Sequence, residues 1–178
     1  MKQIIVVLLT VLSGVSSVCA NLGDGGDRID DSYGNLLERH LLDDGTVSVL
    51  YHKDRYLYFV IFANGRSVLE RYSHVKGTDL SEKEIARFLK ANAARATWAP
   101  DNKAKERRFE RNDHKAEATY SNITGRPTLT VRELHTNGAI KNQVFFARMV
   151  EFTSIIASLR STPRFAINSN ECYLIGKA

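Results

Sequence analysis

The side chains that could perform acid–base or metal chemistry are scattered along the chain. None of the five histidines stands at a zinc-ligand spacing from another histidine or a cysteine. The patterns Gly-x-Ser-x-Gly, His-Glu-x-x-His and Cys-x-x-Cys are missing, as is a phosphate-binding glycine loop. The sequence therefore predicts no metal and no cofactor. Any active site would have to be assembled from residues distant in the sequence.

Glu70 is the acidic residue with the most unusual predicted surroundings. The hairpin described below places it opposite Phe59, on a mostly apolar face, where a buried carboxylate must pair or stay protonated. Arg66 and Arg87 are candidate partners for a structural ion pair. The alternative is an acid that lines a ligand-binding cleft, and His52 and His74 are further candidates for such a cleft.

Cys172 is the candidate thiol nucleophile, because Cys19 lies in an N-terminal segment that we predict to be removed. Its neighbours are Glu171 and Tyr173, and no adjacent cation would stabilise a thiolate. The simpler interpretation is a small apolar residue on a terminal strand.

A basic segment is the candidate surface for a polyanion. Between residues 103 and 115 the chain has six Lys or Arg and three acids, so the local net charge is +3. The formal net charge of the whole chain is +5. Nucleic acid, lipopolysaccharide or an acidic glycan would be attracted electrostatically. The interspersed acids instead favour a solvated surface with weak polyanion contact, and the candidate ligands are Arg107, Arg108 and Arg111.

The elements that would position these residues centre on a predicted hairpin. Residues 57–63 are unbroken apolar and aromatic, which indicates a central strand covered on both faces. Asn64-Gly65 predicts a type I′ turn, and residues 66–72 return antiparallel. A two-residue loop would pair Ile61 with Val68 and Val60 with Leu69. Val47, Val49 and Tyr51, which alternate with Ser48 and Leu50, predict the preceding strand.

A helix start follows this hairpin. Ser81 and Glu84 have the spacing of a capping box, and Leu80 with Ile85 forms a hydrophobic staple. Ile85, Phe88 and Leu89 predict one buried face, and Asn92 ends the helix. Trp98, the single tryptophan, is predicted to be a core anchor, with an exposed binding aromatic as the alternative.

Further strands are predicted after Trp98. Ala116, Ala118 and Tyr120 alternate with polar residues, as do Leu129 and Val131. The intervening Gly125-Arg126-Pro127 predicts a turn. Residues 142–159 have helical spacing of apolar side chains, and residues 165–175 predict an edge strand.

The first twenty residues are typical of a secretory signal peptide. Lys2 precedes a short apolar run at 4–12, and Val18-Cys19-Ala20 fits a cleavage site, so we predict cleavage near Ala20. A lipidated Cys19 and an uncleaved anchor are the alternatives.

Residues 21–34, which are polar, acidic and rich in glycine, are predicted to be a flexible segment. Residues 35–42 fit either a strand or a short helix.

The predicted organisation is a signal peptide, a flexible segment and one α+β domain at 35–178. In that domain an antiparallel sheet of about five to seven strands packs against one or two helices. The first functional hypothesis is an exported, periplasmic or secreted, non-enzymatic binding module of unknown partner. The second is a small exported hydrolase built from dispersed residues such as His52, His74 and Glu70. The third is an inhibitor of another exported protein.

Overall fold

An eight-stranded antiparallel sheet with two short helices forms the α+β fold of this chain. It is a computed structural model that describes residues 21–134 apart from 103 and 105. The helices are α1 (Gly26–Tyr33) and α2 (Glu82–Ala91). The strands are β1 (Asn35–Leu41), β2 (Val47–Lys53), β3 (Tyr56–Ala63), β4 (Arg66–His74), β5 (Trp98–Asp101), β6 (Arg107–Arg111), β7 (Ala116–Ile123) and β8 (Arg126–Glu133).

The strand order divides the sheet into two similar halves. The order is β1-β2-β3-β4-β8-β7-β6-β5, so each half is a four-stranded meander preceded by one helix. β4 and β8 are hydrogen-bonded at the centre, and β1 and β5 form the two edges. The last hairpin of each half turns on two residues of positive φ, Asn64-Gly65 and Thr124-Gly125, and an arginine follows each turn.

Both helices pack on the same face of the sheet, which we call the helix face. Ile29 of α1 and Ile85 of α2 belong to one buried cluster with side chains from both halves of the sheet, such as Tyr58 and Leu129. The opposite face carries a smaller buried cluster that includes Leu50, Leu57, Phe59, Ile61 and Leu69. Residues 56–62 of β3 are buried throughout, which confirms a central strand covered on both faces.

The register of the β3–β4 hairpin differs from the prediction. The predicted type I′ turn is confirmed, because Asn64 and Gly65 both have positive φ. Ser67 pairs with Phe62 but Leu69 pairs with Ile61, so Val68 is an extra, bulged residue. The predicted pairs Ile61–Val68 and Val60–Leu69 are therefore wrong. Glu70 faces Val60 instead of Phe59.

Helix α2 begins as its capping residues predict. The Ser81 hydroxyl accepts from the Glu84 N–H, and the Glu84 carboxylate accepts from the Ser81 N–H, which completes the capping box. Ile85, Phe88 and Leu89 are buried, and Asn92 is the C-cap. The structure therefore confirms the extent and the buried face of this helix.

The structure places a helix in the segment at 21–34 and resolves the open choice for the residues after it. The segment predicted to be flexible, residues 21–34, contains α1, because Ile29 and Tyr33 lie one helical turn apart and both are buried. The open choice for residues 35–42 resolves as strand β1. The predicted count of five to seven strands is too low. Neither β1 nor the short β5 contains a buried residue, so both lack the alternating buried pattern that indicates a strand.

Two further predictions concern β5 and the last hairpin. Trp98 is partly buried on β5 and packs against the large core cluster, so it is only in part the predicted core anchor. The turn predicted at 125–127 lies one residue earlier, and Arg126 already belongs to β8. The strands predicted around Ala118 and Leu129 are confirmed as β7 and β8.

Several predictions fall on residues outside the described part of the chain. These are the signal peptide at 1–20, the helix at 142–159, the tail strand at 165–175 and Cys172. Among the described residues, neither helix is long and apolar enough to cross a membrane.

A pair of glycine substitutions tests the Asn64-Gly65 turn. Gly65→Ala places a Cβ at a φ of +73° in open space, so the cost comes from the backbone alone and should be about 1–2 kcal/mol of unfolding free energy. The control is Gly26→Ala at the start of α1, also in open space, which should be neutral or stabilise by up to about 1 kcal/mol. Urea denaturation measures both. Equal effects at the two positions would contradict the assigned turn.

Candidate functional site

A hydrogen-bonded cluster surrounds Glu84 at the start of α2. Its Oε2 accepts from the Ser81 N–H at 2.7 Å and from the Ser81 hydroxyl at 2.6 Å. Its Oε1 accepts from the Tyr56 hydroxyl at 2.5 Å and lies 3.0 Å from Arg55 Nη2. Burial alone would raise the pKa of Glu84, but the hydrogen bonds from Ser81 and Tyr56 outweigh it and hold the pKa well below its usual range. The carboxylate is therefore ionised and fixed in orientation.

His74 connects this carboxylate to a surface hydroxyl. His74 is the last residue of β4, and its Nε2 lies 3.0 Å from Glu84 Oε1. Its Nδ1 lies 2.6 Å from the hydroxyl oxygen of Thr78, which is exposed. Because the ionised carboxylate only accepts hydrogen bonds, a neutral His74 carries its proton on Nε2 and accepts at Nδ1. The result is a continuous chain of hydroxyl, imidazole and carboxylate.

Glu70 lies in a second, fully buried cluster. It is 0% exposed, and its Oε2 accepts from the hydroxyls of Tyr33, at 2.5 Å, and of Tyr72. The predicted ion pair with Arg66 or Arg87 is wrong. The bulge places the Glu70 side chain on the helix face, where it contacts tyrosine hydroxyls instead. Burial raises the pKa of Glu70 and outweighs the tyrosine hydrogen bonds, which lower it. This cluster is a core feature with no access from solvent.

The Glu70 cluster continues through Asn92 at the end of α2. The Asn92 side chain donates to the Tyr72 hydroxyl at 2.7 Å and accepts from the Leu22 N–H at 2.8 Å. Its backbone carbonyl accepts from Arg111 at 3.1 Å. Asn92 therefore joins α2 to β4, to β6 and to the segment before α1.

The three residues proposed for a dispersed hydrolase site do not converge. His52 pairs with Leu57, on the face opposite the helices, and its ring bonds to the Asp54 carbonyl at 2.8 Å. Glu70 and His74 share the helix face of β4, but they belong to the two separate clusters. Of the three, only His74 reaches the surface cluster.

The three candidate arginines are also separated. Arg107 forms a two-pronged ion pair with Glu82 of α2. Arg111 is buried, donates to Asp113 at 2.8 Å and lies over the ring of Trp98. Arg108 is exposed on the opposite face of β6. Within the described part of the basic segment, these three arginines therefore do not form one converging set of cations.

Sequence reasoning missed the partners of His74. Glu84 was identified as a capping residue, and Thr78 carried no signal in a stretch without a motif. The capping box was the available clue, because it fixes a carboxylate one turn into α2, next to the end of β4. Within the described residues, no group of three or more His, Cys, Asp or Glu is placed to hold a metal ion.

Exposed apolar side chains concentrate on edge strand β1. Leu36 is 49% exposed and Leu41 is 77% exposed, and they are the large exposed hydrophobic residues of the described chain. Leu36 pairs with Tyr51 and Leu41 with Val47, so both lie on the helix face. A bulge at Leu37 produces this arrangement, since residues five apart on a regular strand face opposite sides.

The raised pKa of Glu70 predicts an unusual pH dependence. A carboxyl whose pKa is raised by folding contributes stability below its unfolded pKa of about 4.3, and this stability is lost as the pH rises through the folded pKa. Glu70→Gln removes the titration. Wild type should therefore lose stability relative to this variant between acid and neutral pH in denaturant titrations. The exposed Glu106→Gln is the control, and a wild type that gains stability over Glu70→Gln with rising pH would contradict the prediction.

The arginine geometry predicts weak polyanion binding. Heparin should bind weakly at low ionic strength and not measurably at physiological salt, because a multi-phosphate or multi-sulfate site needs cations on one face. Arg108→Ala, which disturbs no ion pair in the described chain, should change the low-salt affinity less than about twofold. Titrations at two salt concentrations measure this. Submicromolar binding at physiological salt that is lost in Arg107→Ala/Arg108→Ala would overturn it.

Comparisons with known proteins provide no information about the function of this chain. No family model matches the sequence, and neither the curated proteins nor the solved structures provide a match.

Proposed function

We propose that this chain is an exported protein-binding module that captures an extended segment of a partner by β-strand addition along β1. The observation that carries the proposal is the outer side of β1, which pairs with no other strand of the described chain and exposes Leu36 and Leu41 on one face. Export is supported by the apolar run at 4–12 and the Val18-Cys19-Ala20 cleavage pattern.

The backbone of β1 supplies the main recognition element. Within the described chain β1 pairs with β2 alone, so the outer row of N–H and C=O groups can accept another strand. The strand has seven residues and no proline. The opposite edge is less suitable, because β5 has four residues and contains Pro100, which lacks an N–H.

The side chains of β1 define the chemistry of the partner. Leu36, Arg39 and Leu41 lie on the helix face, because they pair with Tyr51, Val49 and Val47. An added strand with apolar residues opposite the two leucines would bury both of them. An acidic residue of the added strand opposite Arg39 would form a cross-strand ion pair with its guanidinium. The preferred partner is therefore an extended segment with apolar residues that flank an acid.

A peptide selection on the purified chain tests this function. Heptapeptides enriched from a random display library should carry two apolar residues four positions apart with an acidic residue midway between them, because alternate residues of a strand share one face. Leu36→Lys/Leu41→Lys should weaken their binding at least tenfold, or about 1.4 kcal/mol, because it removes the apolar contacts and places two cations on the edge.

The matched control is Ala99→Lys, which adds a cation to the exposed edge strand β5. It should leave peptide binding unchanged. Peptides that bind wild type and the β1 variant equally would contradict the proposal, as would a selection without enrichment. A wild-type dimer that the β1 variant dissociates would identify a second copy of this chain as the occupant instead.

A further inference from the structure

The chain of Thr78, His74 and Glu84 has the connectivity of a nucleophile, a general base and an orienting acid. Both links are at hydrogen-bond distance, 2.6 Å from Thr78 to His74 and 3.0 Å from His74 to Glu84. We propose that this cluster catalyses acyl transfer, with the Thr78 hydroxyl as nucleophile, His74 as general base and Glu84 as the residue that positions His74. The activity is independent of partner binding at β1.

The Glu84 carboxylate makes more contacts than a helix cap requires. The Ser81 contacts to Oε2 would alone complete the capping box. Oε1 is left to face His74, and the Tyr56 hydroxyl and Arg55 guanidinium fix it there. Glu84 therefore selects the imidazole tautomer with the proton on Nε2 and leaves Nδ1 to accept the Thr78 proton. The two ring nitrogens are exchanged relative to the common Ser–His–Asp arrangement, but the roles are the same.

The exposure of the three groups suits a reactive hydroxyl. Thr78 is exposed and accessible to a substrate, whereas the side chains of His74 and Glu84 are only 13% and 11% exposed. The base is thus shielded from water while the nucleophile is open. Gly77, directly before Thr78, has a φ of +72° and turns the chain so that Thr78 returns to His74.

A hydrogen-bond donor for the developing oxyanion lies next to the nucleophile. The backbone N–H of Asp79 donates no hydrogen bond within the described chain. The N–H of the residue after a nucleophile is a common oxyanion donor. The Asp79 carboxylate, which accepts from the Tyr120 hydroxyl at 3.0 Å, adds a negative charge beside the site. Arg126, which donates to the Val75 carbonyl at 3.1 Å, places a positive charge near Gly77. Neither sign of charge therefore dominates beside Thr78, and the substrate class is an uncharged, solvent-accessible ester.

The reaction runs in two steps. Thr78 Oγ1 attacks the ester carbonyl carbon and passes its proton to His74 Nδ1. The bond to the leaving alcohol breaks, and His74 returns that proton to the alcohol, which leaves an acyl-threonine. Water then attacks the acyl carbon, gives a proton to His74, and the bond to Thr78 Oγ1 breaks as the hydroxyl regains a proton. The sum is an ester and water converted to a carboxylic acid and an alcohol, with no other reactant.

Hydrolysis of p-nitrophenyl acetate by the purified chain tests the proposal. Wild type should release p-nitrophenol faster than Thr78→Val and His74→Gln by at least tenfold, and Thr78→Ser should retain the activity. Mass spectrometry of acid-quenched samples should locate the acetyl group on Thr78. The control is Thr46→Val, which removes a hydroxyl that donates to the Asp44 carboxylate at 2.6 Å, and it should match wild type.

Glu84→Gln keeps an acceptor for the cap and tests the positioning role separately. Nitrogen NMR of His74 should show Nε2 protonated in wild type and a loss of that preference in the variant, beside a fall in rate. Circular dichroism confirms that each variant is folded. Equal rates for wild type and Thr78→Val, or acetyl groups on lysines alone, would overturn the proposal and leave the cluster as a helix cap.

Discussion

The bulge at Val68 decides which side chains of β4 meet the helices. A shift of one residue in strand register moves every following side chain to the other face. After Val68, Glu70, Tyr72 and His74 therefore lie on the helix face, while Arg71 lies on the opposite face beside Phe59. Without the extra residue, a strand continuing from the same turn would place Glu70 beside Phe59 and remove His74 from Glu84. The two polar clusters of the helix face thus depend on one bulged residue.

The buried cluster around Glu70 fixes how the helices sit on the sheet. Burying a carboxyl group is unfavourable unless hydrogen bonds compensate, so Tyr33 and Tyr72 must meet Glu70 from two different elements. The same tyrosines also stack within the core, Tyr33 on Tyr58 and Tyr72 on Phe88, each with ring centres 4.3 Å apart. Apolar packing alone would tolerate other orientations of α1. The hydroxyl contacts to one carboxylate oxygen specify a single orientation.

Local sequence patterns predicted individual helices and turns better than they predicted strand register and the contacts between elements. The Ser81/Glu84 box and the Asn64-Gly65 turn were found because their signals lie within four residues of sequence. The bulge at Val68 was missed, since no residue type at that position marks it. Helix α1 was missed because Ile29 and Tyr33 are its only large apolar residues among acids and glycines. His74 was identified as a candidate, but its partners Thr78 and Glu84 depend on how the β4–α2 connection returns to the sheet.

The two halves of the sheet share an arrangement but differ in ways that bear on function. Each half begins with a helix and ends in a hairpin at the centre. Within the described residues, however, the β1 edge has seven residues and no proline, whereas the β5 edge has four residues and carries Pro100. β4 stands three strand spacings from β1, about 14 Å across the sheet. A strand added outside β1 lies one spacing further away. A partner strand held at β1 therefore leaves Thr78 accessible at the end of β4, and a substitution on either surface can be interpreted without assuming an effect on the other.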